Sequence, residues 1–93
     1  AQRRIGLSTG TVEQRIAGVL LELCERFGDD LEDGSVVIPI KLTRSELAGL
    51  AGTTVESTIR TLSQWSKDQI LSASKTGFVL LDPNEFRRRL DVL

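Results

Sequence analysis

Glu56 and Arg60 stand four residues apart in the stretch GTTVESTIRTLSQW, residues 52–65. An arginine bonds bidentately to guanine O6 and N7, and a glutamate accepts from cytosine N4. Glutamate alone is a poor partner for DNA, because phosphates repel it. Beside an arginine it can orient the guanidinium and also read a base. On a helical wheel of ~100° per residue, Arg60, Ser63 and Lys67 all fall within about 40° of Glu56. Thr58, Thr61, Leu62 and Trp65 gather on the other side. The spacing predicts a helix with one packed face and one polar stripe. The stripe has a plainer reading too, a solvated face whose i,i+4 pair is worth about 0.2–0.5 kcal/mol. Pattern alone leaves both open.

Other chemistry is largely excluded. The chain has no histidine and a single cysteine, Cys24. A histidine-based triad, a cysteine cluster for zinc and an intrachain disulfide are ruled out. No nucleophile–base set stands out, and no glycine-rich phosphate loop, so no enzyme activity and no cofactor or metal site are expected in this domain. Cys24 lies in an apolar run and is expected to be a buried structural thiol.

With 93 residues, one domain is the expectation. Thr11 and Gln14 form a T-x-x-Q capping box ahead of apolar residues at helical spacing, predicting a helix over 11–27 that stops at Gly28. Residues 28–34, GDDLEDG, read as an acidic loop. SVVIPIKL, 35–42, reads as a short strand, which Pro39 should confine to an edge or an irregular ladder. Thr43 and Glu46 make a second capping box before a short helix over 44–51. Gly52 ends it, Thr53 or Thr54 caps the next, and that helix runs to Lys67. Residues 69–82 read as a hairpin turning at SKTG. Pro83 heads a last helix over 83–90. Two short helices joined by a tight glycine-containing turn, then a hairpin, make a winged helix-turn-helix. The fold class is mainly α with a small antiparallel β wing.

Charge is uneven. The formal net charge is −1, yet residues 1–33 carry −3 and residues 35–81 carry +2. The basic character sits around the stripe. A positive line through Arg44, Arg60, Lys67 and Lys75 would favour DNA; the negative total keeps alive a winged helix used for protein interaction or dimerisation. There is no signal peptide, and no apolar run approaches the ~18 residues of a membrane span. A reducing, cytoplasmic setting is expected.

The stretch LTRSELAGLAGTTVESTIRTLSQW resembles the helix-turn-helix of the Crp/Fnr family of bacterial transcription regulators, which reads roughly L-T-R-x-[DE]-L-A-x-[LI]-x-G-x-[ST]-x-E-T-[VI]-S-R-x-L. The matches are Leu42, Thr43, Arg44, Glu46, Leu47, Ala48, Leu50, Gly52, Thr54, Glu56, Arg60 and Leu62. RIAGVLLEL resembles the preceding helix, and GFVLLDPNEFRRRL the wing and closing helix, so the likeness covers about 11–90. It implies that Glu56 and Arg60 read bases. Val55 stands at the variable position before the glutamate, where the cyclic-AMP receptor type has arginine, and looks like the Fnr-type subgroup. Ile59 lies at the edge of the same face, free to touch a thymine methyl or to pack against a neighbouring helix. Arg44, Thr54 and Ser57 match positions that hold phosphates. Ser63 and Lys67 extend that set along the stripe, with Lys75 and Thr76 at the wing tip.

Three departures from the family stand out. Thr58-Ile59 replaces a common Val-Ser; Thr58 faces inward, where its hydroxyl can bond a carbonyl one turn back. Trp65 replaces a common Leu and is expected in the core. Gln69 stands where the family often has glycine before the wing.

The resemblance also implies partners: double-stranded DNA, a homodimeric full-length protein, and RNA polymerase. Family members usually carry an N-terminal sensor domain and a long dimer helix. The chain is therefore expected to be either an excised DNA-binding domain or a stand-alone one, with residues 1–10 as a leader ending an interdomain linker. Any sensor ligand would belong to another domain, its identity unreadable here.

Overall fold

A computed structural model describes residues 10–74 and 77–91. Four helices surround a small antiparallel sheet. Helix α1 spans Val12–Phe27 and is capped as its sequence predicts: Thr11 Oγ1 accepts from the Gln14 amide at 3.2 Å, and Gln14 Oε1 accepts from the Thr11 amide at 2.8 Å. Strand β1, Asp29–Asp30, and strand β2, Val36–Ile38, follow. Between them Asp33 accepts from the Ser35 hydroxyl at 2.6 Å and from its amide at 3.0 Å; these bonds hold the Asp33 carboxyl below its usual range.

Helix α2 is Arg44–Ala51 and helix α3 is Val55–Lys67. The second capping box is also reciprocal, with Glu46 N to Thr43 Oγ1 at 3.0 Å and Thr43 N to Glu46 Oε1 at 2.8 Å. Strands β3, Leu71–Ser74, and β4, Gly77–Leu80, form the wing. Helix α4, Pro83–Asp91, closes the chain.

The sheet order is β1-β2-β4-β3, with every neighbouring pair antiparallel. This corrects one expectation and narrows another. Residues 28–34 are not all loop, since Asp29 and Asp30 pair with Val37 and Val36. Of the two alternatives for the strand with Pro39, the edge is excluded, because β2 lies between β1 and β4. Pro39 is tolerated because the ladder stops at Ile38, so no strand bond needs the missing N–H. Gly77 sits at φ 148°, where a Cβ would collide with the Ile38 carbonyl oxygen, so only glycine lets the wing close on β2.

The core lies between the helices and one sheet face. Ile16, Val19 and Leu20 of α1 meet Leu47 of α2, Leu62 and Trp65 of α3, the sheet residues Ile38, Phe78 and Leu80, and Phe86 of α4. Each such side chain contributes roughly 1.5–3 kcal/mol on burial. Trp65 is wholly buried, as expected, and meets Phe86 edge-on at 4.8 Å between ring centroids. Its Nε1 finds no acceptor among the described residues, a local cost of about 1–3 kcal/mol set against burial of the whole indole. Cys24 is only half-buried, packed at the core margin, and burial pushes its thiol pKa up. No helix among the described residues is long and apolar enough to cross a membrane.

Candidate nucleic-acid interface

The turn between α2 and α3 is built by local chemistry. Gly52 takes the left-handed conformation, φ 70° and ψ 40°. Its amide bonds to Gly49 O at 3.3 Å, and the Thr53 amide bonds to Ala48 O at 2.9 Å. This is a Schellman ending, which needs φ > 0 at the glycine. Thr53 thus closes α2, and it is Thr54 that caps α3, its Oγ1 accepting from the Ser57 amide at 3.1 Å. From α1, Arg15 Nη1 donates to Gly52 O at 2.9 Å and ties the turn to the first helix. Nothing in the sequence pattern singled out Arg15.

Helix α3 divides as the wheel predicts. Thr58, Thr61, Leu62 and Trp65 are buried. The Thr58 hydroxyl donates to Thr54 O one turn back at 2.9 Å, so its burial leaves no orphan donor. Glu56, Arg60, Ser63 and Lys67 are all exposed along the other side. Among the described residues, neither the Glu56 nor the Arg60 side chain makes a hydrogen bond or an ion pair. The plainer reading, a stripe stabilised by an internal i,i+4 pair, therefore loses its contact. Val55 and Ile59 flank the stripe, 39% and 47% exposed. Exposure on that scale takes Ile59 out of the core.

The predicted phosphate contacts are placed unevenly. Thr54 and Ser57 lie at the N-terminus of α3, where free amides and the helix dipole favour anions. Arg44 is the first residue of α2, exposed, with its guanidinium carbon 5.8 Å from the centroid of the Phe78 ring. It overhangs a shallow cleft of about 170 Å³ between α3 and β3, whose walls include Ile59, Ser63, Ser66 and Leu71. Ser66 and Phe78 were not singled out by the sequence pattern. Lys67 is exposed in the last turn of α3. Lys75 and Thr76 lie outside the described residues.

The joint between α3 and the wing holds a second Schellman ending. The Gln69 amide bonds to Ser66 O at 3.1 Å and the Ile70 amide to Trp65 O at 3.1 Å. Gln69 sits at φ 61°, the only non-glycine with positive φ among the described residues. Its conformation is the one a glycine would take there. No group of three potential metal-ligating side chains occurs among the described residues.

Comparison with known proteins agrees with this arrangement. Residues 14–89 match the model of the Crp-like helix-turn-helix domain. The chain is 28% identical over 85 residues to the nitrogen fixation regulation protein FixK of Azorhizobium caulinodans, covering 91% of the chain but 34% of that regulator. It superposes with a TM-score of 0.76 and 26% identity on a CRP/FNR-family transcriptional regulator from Thermus thermophilus, over 92% of this chain and 43% of that one. Reduced CprK without ligand shares the fold at a TM-score of 0.79 and 22% identity, over 89% of this chain and 39% of its own. The chain thus spans about a third of the length of FixK. With most of its length matched from Gln14 onward, capped turn and exposed α3 stripe included, the chain belongs to the Crp-like helix-turn-helix domains, the DNA-binding part of a family of transcription regulators.

Proposed function

We propose that the chain binds a specific double-stranded DNA sequence by laying α3 in the major groove. The observation that carries this reading is the exposed stripe of α3, where the Glu56 and Arg60 side chains make no bond to each other and are free to bond bases. Arg60 bonds to a guanine and Glu56 accepts from a cytosine. Val55 and Ile59, on one flank, meet thymine methyls. Arg44, Thr54, Ser57, Ser63 and Lys67 hold phosphates, joined by Lys75 and Thr76 at the wing. The half-site then contains a guanine–cytosine step beside thymine, similar to the TTGA core that a Fnr-type likeness implies.

In a longer regulator the domain would act as one half of a homodimer, in the cytoplasm, with RNA polymerase as a further partner. An effector, if the regulator has one, would bind elsewhere in that protein. The competing reading is a winged helix for protein interaction or dimerisation, in keeping with the net charge of −1. Selection from a random duplex library, with two copies of the chain linked to act as a dimer, separates the two. Enrichment of a palindromic site with a guanine–cytosine step supports DNA readout. Absence of any enriched sequence would overturn it.

A further inference from the structure

Arg44 is a long, exposed side chain that makes no salt bridge among the described residues, so its direction must be set by something other than a carboxylate. Its guanidinium carbon lies 5.8 Å from the Phe78 ring centroid. A guanidinium within ~6 Å of an aromatic face is held there by the ring quadrupole. The ring itself cannot drift. Phe78 is paired with Ile38 of β2 on one side and Ala73 of β3 on the other, and is 2% exposed. An interior strand, paired on both sides, therefore aims Arg44, the first residue of α2. It aims it over the cleft between α3 and β3, where Ser63 and Ser66 supply hydroxyl donors. A cation with two hydroxyls suits a phosphate oxygen.

We propose that Phe78 is a positioning residue for DNA binding: its ring holds Arg44 over the α3–β3 cleft, where Arg44, Ser63 and Ser66 together take one backbone phosphate. The inference rests on the reading of α3 as a DNA-binding helix. It adds that the wing strand acts on affinity through Arg44, and that Ser66 belongs to the interface.

The test is a double-mutant cycle with Arg44→Ala and Phe78→Leu in the 93-residue chain, titrated with duplex DNA from low to moderate salt. Thermal unfolding is followed alongside. Phe78→Leu should weaken binding to all duplexes by about three- to tenfold and make the slope of log K against log salt shallower by about 1. Sequence preference should stay unchanged, and in the Arg44→Ala background Phe78→Leu should cost nothing more. An equal loss in both backgrounds would show that the ring acts on the wing alone and would overturn the proposal. Arg44→Lys keeps the charge without the planar guanidinium and leaves the core untouched, so it tests the same point if Phe78→Leu does not fold. It should bind between wild type and Arg44→Ala, since an ammonium still meets a phosphate but lies less well on the ring, and wild-type affinity in Arg44→Lys would overturn the stacking role. Ser66→Ala should shift affinity without changing preference; no shift removes Ser66 from the cleft's role. If the unaltered chain binds no duplex at any salt, even as two linked copies, the DNA-binding reading itself has failed, a result distinct from failure of the cycle.

Discussion

At the scale of single residues, the free ends of Glu56 and Arg60 matter most. Both are exposed, and neither side chain is bonded within the described residues. An arginine in this state spends no internal contact when it meets a base. Arg60→Ala should cost about 1–3 kcal/mol of binding and relax preference at one guanine. Competition titrations against single-base variants of the site would show it. An equal loss on every sequence would reduce Arg60 to a phosphate contact. Ile59 gives a second prediction. At 47% exposure it has little packing to lose, so Ile59→Ala should change folding stability by no more than about 0.5 kcal/mol. Replacing the adjacent thymines with uracil removes only their methyl groups and should weaken binding by about 0.8 kcal/mol each. Unchanged binding on uracil, with an unfolded Ile59→Ala, would return Ile59 to the core.

At the scale of elements, the two helices of the motif end in the same way with different residues. Helix α2 ends on Gly52 at φ 70°, helix α3 on Gln69 at φ 61°. The bonds Gly52 N to Gly49 O and Gln69 N to Ser66 O are equivalent, as are Thr53 N to Ala48 O and Ile70 N to Trp65 O. A glutamine in this conformation carries a Cβ clash that a glycine lacks. The glycine substitution gives back part of the gain through a looser unfolded chain. Gln69→Gly should therefore stabilise the domain by about 0.5–1 kcal/mol, seen as a melting temperature higher by several degrees. A lower melting temperature would mean that Gln69 makes a contribution beyond its backbone. The departure from the family's usual glycine leaves the wing's attachment intact, because the helix-ending bonds are all made.

At the scale of the whole molecule, the question is assembly. Helix-turn-helix regulators mostly bind as dimers to half-sites one or more turns of DNA apart. The chain spans 34% of FixK, and its four helices are all engaged in one core. It should sediment as a monomer, or at most a weak dimer, at micromolar concentration and bind a single half-site poorly. Covalently linking two copies should raise affinity steeply, because the second contact becomes intramolecular. A tight dimer of the unlinked chain in sedimentation equilibrium would contradict this.

Features that close over three or four residues were legible in the residue types alone. Both capping boxes, the glycine stop at Gly52, the buried Thr58 and Trp65 and the exposed stripe of α3 follow from local bonds and a helical period. These are set by neighbours in the chain, so their residue types announce them. The end of α3 at Lys67 was legible as well, but the positive φ of Gln69 was not, because a glutamine gives no signal for it. That Asp29–Asp30 is a strand came from packing, since two aspartates have no strand signal and pair only because β2 is beside them. The interior place of β2 has the same origin: Pro39 warns of an edge, and only the ladder's end at Ile38 cancels the warning. The Arg15 bond to Gly52 spans 37 residues, and the placing of Arg44 over Phe78 joins α2 to the wing. Contacts at such separation leave no period in the sequence, because they depend on where packed elements come to rest.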